Sequence, residues 1–552
     1  MNDKDWWRGA VIYQIYPRSY MDSNNDGVGD LNGITQKMDY IADLGVDAIW
    51  ISPFFKSPMK DYGYDVEDYR SVDPIFGTNK DFDTLLQKAH KLNIKIIIDL
   101  VLSHTSDQHD WFIESRSNQE NNKSDWYVWA DPKPDGSPPN NWMSCFGQPA
   151  WTFDSRRGQY YLHNFLKEQP DLNFHNPDVQ DAMLDHMKYW LDKGVDGFRL
   201  DVANFYFHDQ ALRDNPPRDK NDGLGYISGN EGTSPTNMQR QLYNKTQPEN
   251  LEFHKKVRKL TDQYENIMTV AEVGDEDAFR VAAAYSLGEN HLNTSYNTQL
   301  MGGMNKDLTA SLIREPIERY QSFKERGWPS WAFSNHDVVR VASRWGQRKG
   351  YDKEPNFAKL LLSTLLSLQG TLFIYQGEEL GLPEANIAFE QLHDPWGISM
   401  WPDWKGRDGC RTPMVWDDMK PNTGFSNAEA TWLPVDARHP ALAVKAQEQD
   451  ADSTLNFTRA FLDWRKKQPA LVKGDIEFID SGSDMVLCFK RTDENQIIFC
   501  AFNFADVENT VSDPAGSNTQ EGSLFMPEGE LSGKNNGDSI KLPPFGCYFK
   551  AL

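Results

Sequence analysis

The sequence predicts an α/β fold in which eight parallel strands close into a (β/α)8 barrel, accompanied by an inserted subdomain and a C-terminal antiparallel β domain. Short apolar segments of strand character alternate with amphipathic segments of helical period along most of the chain. Two long intervals interrupt this alternation, one after the third strand and one at the C-terminal end. A doubly wound open sheet is the alternative, but eight strand–helix units fit closure into a TIM barrel better.

The predicted barrel strands are short apolar runs rich in Val, Ile, Leu and aromatic residues. They span residues 11–16, 48–52, 94–102, 197–202, 267–273, 291–296, 330–334 and 371–375. Apolar residues recur at helical spacing between the strands, most clearly over residues 34–44, 81–92, 178–191 and 357–368. Because helices separate the strands, we expect neighbouring strands to lie parallel.

Residues 104–173, after the third strand, are rich in Trp, Pro, Asn and Asp and lack a helical period. That stretch is too long for an ordinary loop, so we predict an inserted subdomain there. After the last predicted helix (455–467) the chain becomes rich in β-forming residues. We therefore assign residues 1–103 and 174–468 to the barrel, 104–173 to the inserted subdomain and 469–552 to a C-terminal β-sandwich domain.

The composition is that of an ordered globular protein of 552 residues, 39% of them hydrophobic and 12% aromatic. A net charge of −24 argues against nucleic acids and anionic membranes as partners. No apolar run approaches the ~18 residues that a membrane span requires, and the first residues lack the pattern of a signal peptide. The five cysteines are odd in number and lack metal-site spacing. We therefore expect free thiols in a cytoplasmic protein, and a monomer or homodimer.

Polar side chains stand at the ends of several predicted strands. Arg199 and Asp201 are two residues apart and share one face of their strand. A carboxylate beside a guanidinium is expected to keep a low pKa and stay ionised. Glu272, within Thr-Val-Ala-Glu-Val, has an apolar context that should raise its pKa, and Asp337 ends a later strand. Because barrel enzymes place their chemistry at the carboxyl ends of the strands, we expect these carboxylates to converge.

Further motifs occur in a fixed order along the chain. They are Asp61-Tyr62-Gly63-Tyr64-Asp65, residues 99–104, Gln169-Pro170-Asp171-Leu172-Asn173, residues 197–202, Glu272, Asn335-His336-Asp337 with Arg340, Gln376-Gly377-Glu378-Glu379 and Arg411-Thr412-Pro413-Met414. With these motifs the chain resembles the α-amylase superfamily (glycoside hydrolase family 13), and within it the α-glucosidase and oligo-1,6-glucosidase branch. One departure is Ser103, where many relatives have Asn before the His.

The resemblance implies that Asp201 is a nucleophile, Glu272 a general acid/base and Asp337 a stabiliser of the transition state. A retaining glycosidase needs the first two carboxyl groups roughly 5–5.5 Å apart. By the same resemblance Asp61 and Arg411 bind the outer hydroxyls of a terminal glucose, which closes the cleft behind one sugar and makes the action exo. The alternative is a plain salt bridge between these two residues. The other substrate-binding candidates are Tyr64, His104, Phe146, Phe165, Arg199, Val202 and His336, with Tyr296 as an aromatic that could instead belong to the core.

Linkage preference is expected to depend on Val202, directly after Asp201. In relatives that resemble this branch, Val at this position accompanies α-1,6 activity, and Ala or Thr accompanies α-1,4 activity. We therefore expect a retaining exo-α-glucosidase of short α-gluco-oligosaccharides that leans to isomaltose-type substrates, with α-1,4 activity and transglucosylation left open. The alternatives are an α-1,4-preferring α-glucosidase acting on maltose or sucrose, a sucrose isomerase or transglucosylase, and a non-catalytic relative associated with transporters.

The segment 22–30, Asp-Ser-Asn-Asn-Asp-Gly-Val-Gly-Asp, predicts a structural metal site. Oxygen side chains at alternate positions, with glycines that permit a tight turn, suit a hard divalent cation. The segment resembles the start of an EF-hand, but the twelfth position is Gly33 instead of a Glu. We predict Ca²⁺, with Mg²⁺ as the alternative ion and a metal-free turn as the alternative structure. The predicted ligands are the side chains of Asp22, Asn24, Asp26 and Asp30 and the carbonyl of Val28.

Overall fold

The computed structural model describes residues 4–219, 234–302, 306–514, 523–525 and 531–552. Its strands are β1 (Val11–Ile15), β2 (Ala48–Ile51), β3 (Phe55–Lys56), β4 (Asp68–Val72), β5 (Lys95–Leu100), β6 (Trp129–Ala130), β7 (Trp151–Asp154), β8 (Gln159–Leu162), β9 (Gly197–Leu200), β10 (Met268–Glu272), β11 (Thr294–Tyr296), β12 (Ser330–Ala332), β13 (Thr371–Tyr375), β14 (Asp475–Ile479), β15 (Val486–Asp493), β16 (Gln496–Asn503), β17 (Asn509–Ser512), β18 (Lys534–Asn535), β19 (Ser539–Leu542) and β20 (Cys547–Ala551). Its α-helices are α1 (Leu31–Leu44), α2 (Asn79–Lys91), α3 (Asp110–Ser115), α4 (Pro177–Lys193), α5 (Glu249–Thr261), α6 (Ala278–Tyr285), α7 (Ala310–Ser322), α8 (Val341–Gly346), α9 (Pro355–Ser367), α10 (Pro395–Met400), α11 (Val444–Glu448), α12 (Thr454–Lys466) and α13 (Pro469–Lys473).

Eight parallel strands form the central sheet in the order β11-β10-β9-β5-β2-β1-β13-β12. Two isolated parallel bridges, Thr294 with Trp328 and Asn297 with Trp331, join its two outer strands. Each strand therefore lies between its predecessor and its successor along the chain, which is the connectivity of a (β/α)8 barrel. The predicted fold class is confirmed.

The inside of the barrel is filled by apolar side chains from its strands. Trp50, Ile97, Val270 and Phe373 pack together there and are buried. This packing explains why the strands read as nearly continuous apolar runs, because side chains on one face fill the barrel and those on the other meet the helices. The barrel interior is thus a solid support for the groups at the strand ends.

Helix α4 illustrates how local sequence sets the helix ends. The side chain of Asn176 accepts a hydrogen bond from the backbone N–H of Asp178 (2.9 Å), and Pro177 occupies the first turn, where it needs no partner for its nitrogen. Gly194 ends the helix at a φ of 100°, a conformation that glycine adopts without strain. The predicted helix 178–191 agrees with this element to within three residues at each end.

Besides the short antiparallel β3–β4 pair, two larger antiparallel regions accompany the barrel. Between β5 and β9 the chain forms helix α3 and a three-stranded sheet of order β6-β8-β7, within the predicted inserted subdomain. At the C-terminal end, a four-stranded sheet (β14-β15-β16-β20) and a three-stranded sheet (β17-β19-β18) confirm the predicted antiparallel β domain. The exact domain boundaries stay a prediction. In the described ranges, no helix has both the length and the apolar character needed to cross a bilayer.

Candidate active site

Three carboxyl groups from different barrel strands face a cavity of about 700 Å³ at the carboxyl ends of the strands. Asp201 directly follows β9, Glu272 is the last residue of β10, and Asp337 lies in the loop beyond β12. In a closed parallel barrel the carboxyl ends of all strands meet on one face, so residues distant in sequence come together. The structure therefore brings together the three residues singled out from the sequence.

The guanidinium group of Arg199 contacts three carboxyl groups at the floor of this cavity. Its Nη1 lies 2.9 Å from Oδ1 of Asp99 and also contacts Oδ1 of Asp201. Its Nη2 lies 2.6 Å from Oε2 of Glu272. The indole ring of Trp50 lies beneath the guanidinium at 5.0 Å. Arg199 thus holds Asp201 and Glu272 next to one another. Its single positive charge is shared among three carboxyl groups.

Burial raises the pKa of Asp201 to about 7, although the guanidinium of Arg199 opposes the rise. Burial likewise raises the pKa of Glu272 to about 7. The low pKa predicted for Asp201 is therefore wrong, because one guanidinium shared among three carboxyl groups does not offset their loss of water. The raised pKa predicted for Glu272 is confirmed, and burial is its main cause.

Asp337 has the opposite electrostatic environment. Burial alone would raise its pKa, but His336, Arg411 and Arg407 together hold the pKa well below its usual range. The Oδ1 atom of Asp337 lies 2.8 Å from Nη2 of Arg411 and 3.3 Å from Nη1 of Arg407. Burial lowers the pKa of His336 to about 3, so this ring is neutral at pH 7 and the two arginines supply the permanent charge. Asp337 therefore remains ionised across the physiological pH range.

Arg407, and not Arg411, pairs with Asp61. Nη2 of Arg407 lies 2.9 Å from Oδ1 of Asp61 and 2.8 Å from Oδ1 of Asp394. The guanidinium of Arg411 is buried behind Asp337, where its Nε donates to the carbonyl of His336 (2.7 Å). We expected Asp61 and Arg411 to close the cleft together, or to form a salt bridge with each other. Both expectations are corrected, because Arg407 takes the place beside Asp61. Sequence reasoning missed Arg407 because only its position four residues before Arg411 could have indicated it.

Tyr64 and two histidines form the next part of the site. The Tyr64 hydroxyl lies 2.6 Å from Nε2 of His336 and 3.1 Å from Oδ2 of Asp99, and the Tyr64 and His336 rings are parallel. Nε2 of His104 lies 3.0 Å from the carbonyl of Tyr64, and burial lowers the pKa of His104 to about 4. Ser103, the departure from the family pattern, contacts Nδ1 of His104 at 2.9 Å. The serine hydroxyl thus provides a hydrogen-bonding partner for the imidazole.

The cavity wall is partly aromatic. Phe146 and Phe165 line it as predicted, and so do two residues that sequence reasoning missed, Phe205 and Trp396. Tyr296 is buried inside the barrel, where it packs edge-on against Trp50 and Phe373. Its role is therefore in the core. Among the other predicted binding residues, Tyr64, His104 and Val202 line the cavity, whereas Arg199, His336 and Arg411 lie behind its surface.

Val202 has an unusual backbone for a β-branched residue, with a φ of 34°. In this conformation its N–H lies 3.2 Å from Oε2 of Glu272 and donates a hydrogen bond to it. The N–H of the next residue, Ala203, donates to the backbone carbonyl of Glu272 (2.9 Å). The turn that follows Asp201 is therefore linked to Glu272 by two main-chain N–H groups, one donating to its carboxylate and one to its backbone carbonyl.

The predicted metal loop is ordered by its own side chains. Asp22 accepts hydrogen bonds from the N–H groups of Asn24 (3.0 Å), Asn25 (2.6 Å) and Gly27 (2.8 Å), and Asp30 caps helix α1. The Asp26 side chain is held less firmly, by the Val28 N–H and the Asn24 amide. Oxygen donors of the type that Ca²⁺ and Mg²⁺ prefer are present, but Asp22 and Asp30 also serve as structural acceptors. Across the described ranges, no three His, Cys, Asp or Glu side chains form a metal-binding group, so the metal stays a prediction.

Comparisons with known proteins show which family this chain resembles. Residues 14–474 match the family described as the α-amylase catalytic domain. A probable α-glucosidase of Rhizobium meliloti (strain 1021) is 51% identical over 100% of this chain and 98% of its own length. An oligo-1,6-glucosidase of Heyndrickxia coagulans is 38% identical over 92% of this chain and 93% of its own.

A crystal structure of the α-glucosyl transfer enzyme XgtA matches the fold with a TM-score of 0.94 and 51% identity, over 99% of both chains. The family match covers most of the chain, and the sequence relatives are similar along nearly their whole length. The resemblance inferred from the motifs is confirmed. The chain belongs to the α-amylase family of glycoside hydrolases, in the branch that contains the α-glucosidases and oligo-1,6-glucosidases.

Proposed function

We propose that this glycoside hydrolase is a retaining, exo-acting α-glucosidase that releases glucose from the non-reducing end of short α-gluco-oligosaccharides. The observation that carries the proposal is the convergence of Asp201, Glu272 and Asp337 on one cavity. Contact of both Asp201 and Glu272 with the same guanidinium supports a short separation of the two, as retention requires. The pKa of Asp337 is held below its usual range, so this carboxylate suits the third role, stabilising the positive charge of the transition state.

In the proposed mechanism Asp201 attacks the anomeric carbon while Glu272 protonates the bridging oxygen, and the aglycone leaves. Burial raises the pKa of both groups, and the productive state has a proton on Glu272 and none on Asp201. Glu272 then removes a proton from water, which attacks the glucosyl ester and frees Asp201. Asp337, ionised throughout, stabilises the positive charge that develops on the sugar ring.

The exo action is supported by the charged end of the cavity. Asp61 and Arg407 form an ion pair there (2.9 Å) and are both largely buried. They offer an acceptor and several donors to the hydroxyls of a terminal glucose, beside Tyr64 and the neutral ring of His104. We propose that this pair closes the glucose subsite, so that each reaction removes one sugar unit.

For linkage we propose a preference for α-1,6 bonds with some α-1,4 activity, on the basis of Val202 at the cavity wall. A second candidate, transfer of glucose to other acceptors, is favoured by the aromatic wall of Phe146, Phe165, Phe205 and Trp396. Such a wall excludes water and suits the flat faces of a sugar acceptor. The name of the similar enzyme XgtA supports the same candidate. A product analysis on isomaltose, maltose and sucrose separates hydrolysis from transfer and isomerisation.

We also propose that the loop 22–30 binds Ca²⁺, or Mg²⁺, and that the ion stabilises the fold away from the reacting atoms. The side chains of Asp22, Asn24, Asp26 and Asp30 and the Val28 carbonyl would hold it. A cytoplasmic location is proposed on separate grounds: the five cysteines are free thiols, which suits a reducing compartment.

The nucleophile assignment is tested by the substitution Asp201→Asn. We expect a folded protein whose hydrolysis of isomaltose and maltose falls at least about 10³-fold, since a neutral amide cannot form the glucosyl ester. Asp209→Asn is the matched control, because Asp209 pairs with Arg213 in the same loop region and lies outside the cavity lining. Wild-type enzyme should release α-glucose first, as seen by NMR. Near-normal turnover by Asp201→Asn, or initial β-glucose from the wild type, would overturn the proposal.

A further inference from the structure

Lys245 is a fully buried lysine; burial lowers its pKa, and the negative charges of Asp275 and Glu276 oppose the fall. An ammonium group removed from water is costly unless strong acceptors surround it. Its Nζ donates to the carbonyl of Gly274 at 2.6 Å, and the ring of Phe205 lies 5.3 Å away. Gly274 is two residues beyond Glu272 and lines the cavity. The buried ammonium is therefore directed at the main chain that carries the proposed acid.

Asn204 holds the same glycine from a second direction. Its Nδ2 donates to the carbonyl of Gly274 (2.9 Å), and its Oδ1 accepts from the N–H of Gly274 (3.2 Å). The same Nδ2 also reaches Oγ1 of Thr246 (2.9 Å), whose hydroxyl donates to Oδ2 of Asp275 (2.6 Å). Asn204 is fully buried. Gly274 has no side chain of its own to anchor it, so these contacts supply the anchoring.

We propose that Asn204, Lys245 and Thr246, here called the Gly274 clamp, are positioning residues that hold the Glu272 carboxyl group where it can protonate the bridging oxygen while Asp201 attacks the sugar. The inference rests on the proposed role of Glu272 as general acid/base. Asn204 connects the two proposed catalytic segments. It lies three residues after Asp201, and its side chain hydrogen-bonds the backbone of Gly274, two residues after Glu272. If the clamp is weakened, Gly274 can shift and the carboxyl group moves with it.

A positioning role makes a prediction that a merely structural role does not. Isomaltose has a poor leaving group that needs protonation, whereas fluoride leaves α-glucosyl fluoride without help from an acid. Misplacing Glu272 should therefore reduce kcat/KM for isomaltose far more than kcat/KM for the fluoride. Misplacement of a catalytic group by about 1 Å costs on the order of 10²-fold, and general acid catalysis contributes about 10²–10⁴-fold.

The test uses Lys245→Met, which keeps the volume and removes the charge, and Asn204→Asp, which keeps the shape but replaces the amide donor with a carboxylate oxygen. For both variants we expect kcat/KM for isomaltose to fall by at least about tenfold, and for α-glucosyl fluoride to stay within about twofold. Lys359→Met is the matched control, because Lys359 is also buried but pairs with Asp452 (2.7 Å) away from the cavity. It should lower the melting temperature and leave the ratio of the two substrates unchanged.

Glu272→Gln shows how far the ratio of kcat/KM for isomaltose to that for α-glucosyl fluoride falls when the acid is lost. It also separates the proposed role of Glu272 from the proposed role of the clamp. If it leaves the substrate ratio unchanged, the proposed function of Glu272 is wrong. If Glu272→Gln changes the ratio but Lys245→Met and Asn204→Asp reduce both substrates equally, the clamp has only a structural role. If Lys245→Met fails to fold, the isosteric Asn204→Asp tests the positioning role by the same ratio of kcat/KM values.

Discussion

At the residue scale, the site offers its carboxyl groups two different electrostatic environments. One guanidinium contacts Asp99, Asp201 and Glu272, whereas two guanidinium groups contact Asp337. In the first arrangement burial raises the pKa of all three acids, whereas in the second the pKa of Asp337 is held well below its usual range. A glycosidase needs both kinds of acid within one cavity.

Linkage preference is testable at Val202. Replacing it with Thr adds a hydroxyl at almost the same volume, and Thr is also β-branched, so the strain at a φ of 34° should change little. A new hydrogen bond to the leaving sugar is worth on the order of 1 kcal/mol, which corresponds to several-fold in rate. We expect Val202→Thr to raise the ratio of kcat/KM for maltose to that for isomaltose. Val273→Thr, on the segment after Glu272, is the control and should leave the ratio unaltered. An equal or lower ratio in Val202→Thr would show that this residue does not set linkage.

The convergence of Asp201, Glu272 and Asp337 on one cavity could be predicted from the sequence because each follows an apolar strand, but their partners could not. Arg407 and Arg411 are four residues apart in an irregular segment, so no periodicity tells which of them faces Asp61. The pKa of Asp201 depends on how many carboxyl groups share Arg199, which only the tertiary structure reveals. For Tyr296, the alternation of a three-residue strand is too short to decide between barrel interior and cavity wall.

At the element scale, the predicted strands are in the right places but several are too long at their carboxyl ends. The fourth predicted strand includes Asp201 and Val202, whereas β9 ends at Leu200. The seventh predicted strand runs to Ser334, whereas β12 ends at Ala332. In both cases the hydrogen bonding of the sheet ends where the chain begins to present polar groups to the cavity. Apolar composition alone cannot mark that point.

The loop between β1 and α1 offers a test of the metal. Because Asp22 and Asp30 also accept structural hydrogen bonds, their substitution would confuse loss of metal with loss of loop structure. Asp26→Asn is the better variant, since Asp26 is exposed and makes few contacts. We expect a chelator to lower the melting temperature of the wild type by several degrees and to have little effect on Asp26→Asn. Elemental analysis should find about one Ca²⁺ or Mg²⁺ per wild-type chain. If the chelator has no effect and no metal is found, the loop is a metal-free turn.

At the scale of the whole molecule, the barrel was predictable because its evidence is repeated eight times. Errors of one or two residues at strand ends do not alter the order of the elements, and a right-handed alternation of strand and helix leaves few ways to pair the strands. Closure itself was harder to predict. It depends on two isolated bridges beside β11 and β12, which are only three residues long each.

The site should also reduce the stability of the whole molecule at alkaline pH. The pKa of Glu272 is raised from its ordinary value to about 7, so the folded state binds this proton more tightly than the unfolded state. Its stabilising contribution is therefore complete below about pH 4 and is lost as the pH rises towards 7. We expect Glu272→Gln to be more stable than the wild type at pH 8.5, by on the order of 1–3 kcal/mol, and the difference to shrink at pH 5. Thermal unfolding of both proteins at the two pH values measures this. A constant difference would mean that burial of Glu272 carries no such cost.

In the proposed mechanism, the Asp61–Arg407 pair also fixes the side of the cavity from which the aglycone departs. Asp61 follows β2 and helix α7 follows β11, and these strands are four positions apart in a ring of eight, so they bound opposite sides of the cavity. In the proposed mechanism the glucosyl unit stays bonded to Asp201 beside the ion pair while the aglycone departs on the other side. Whatever next enters the vacated volume determines the outcome: water gives glucose, and a sugar gives a new glycoside. Water and sugar therefore compete for the same volume, and the ratio of the two products depends on their relative concentrations there.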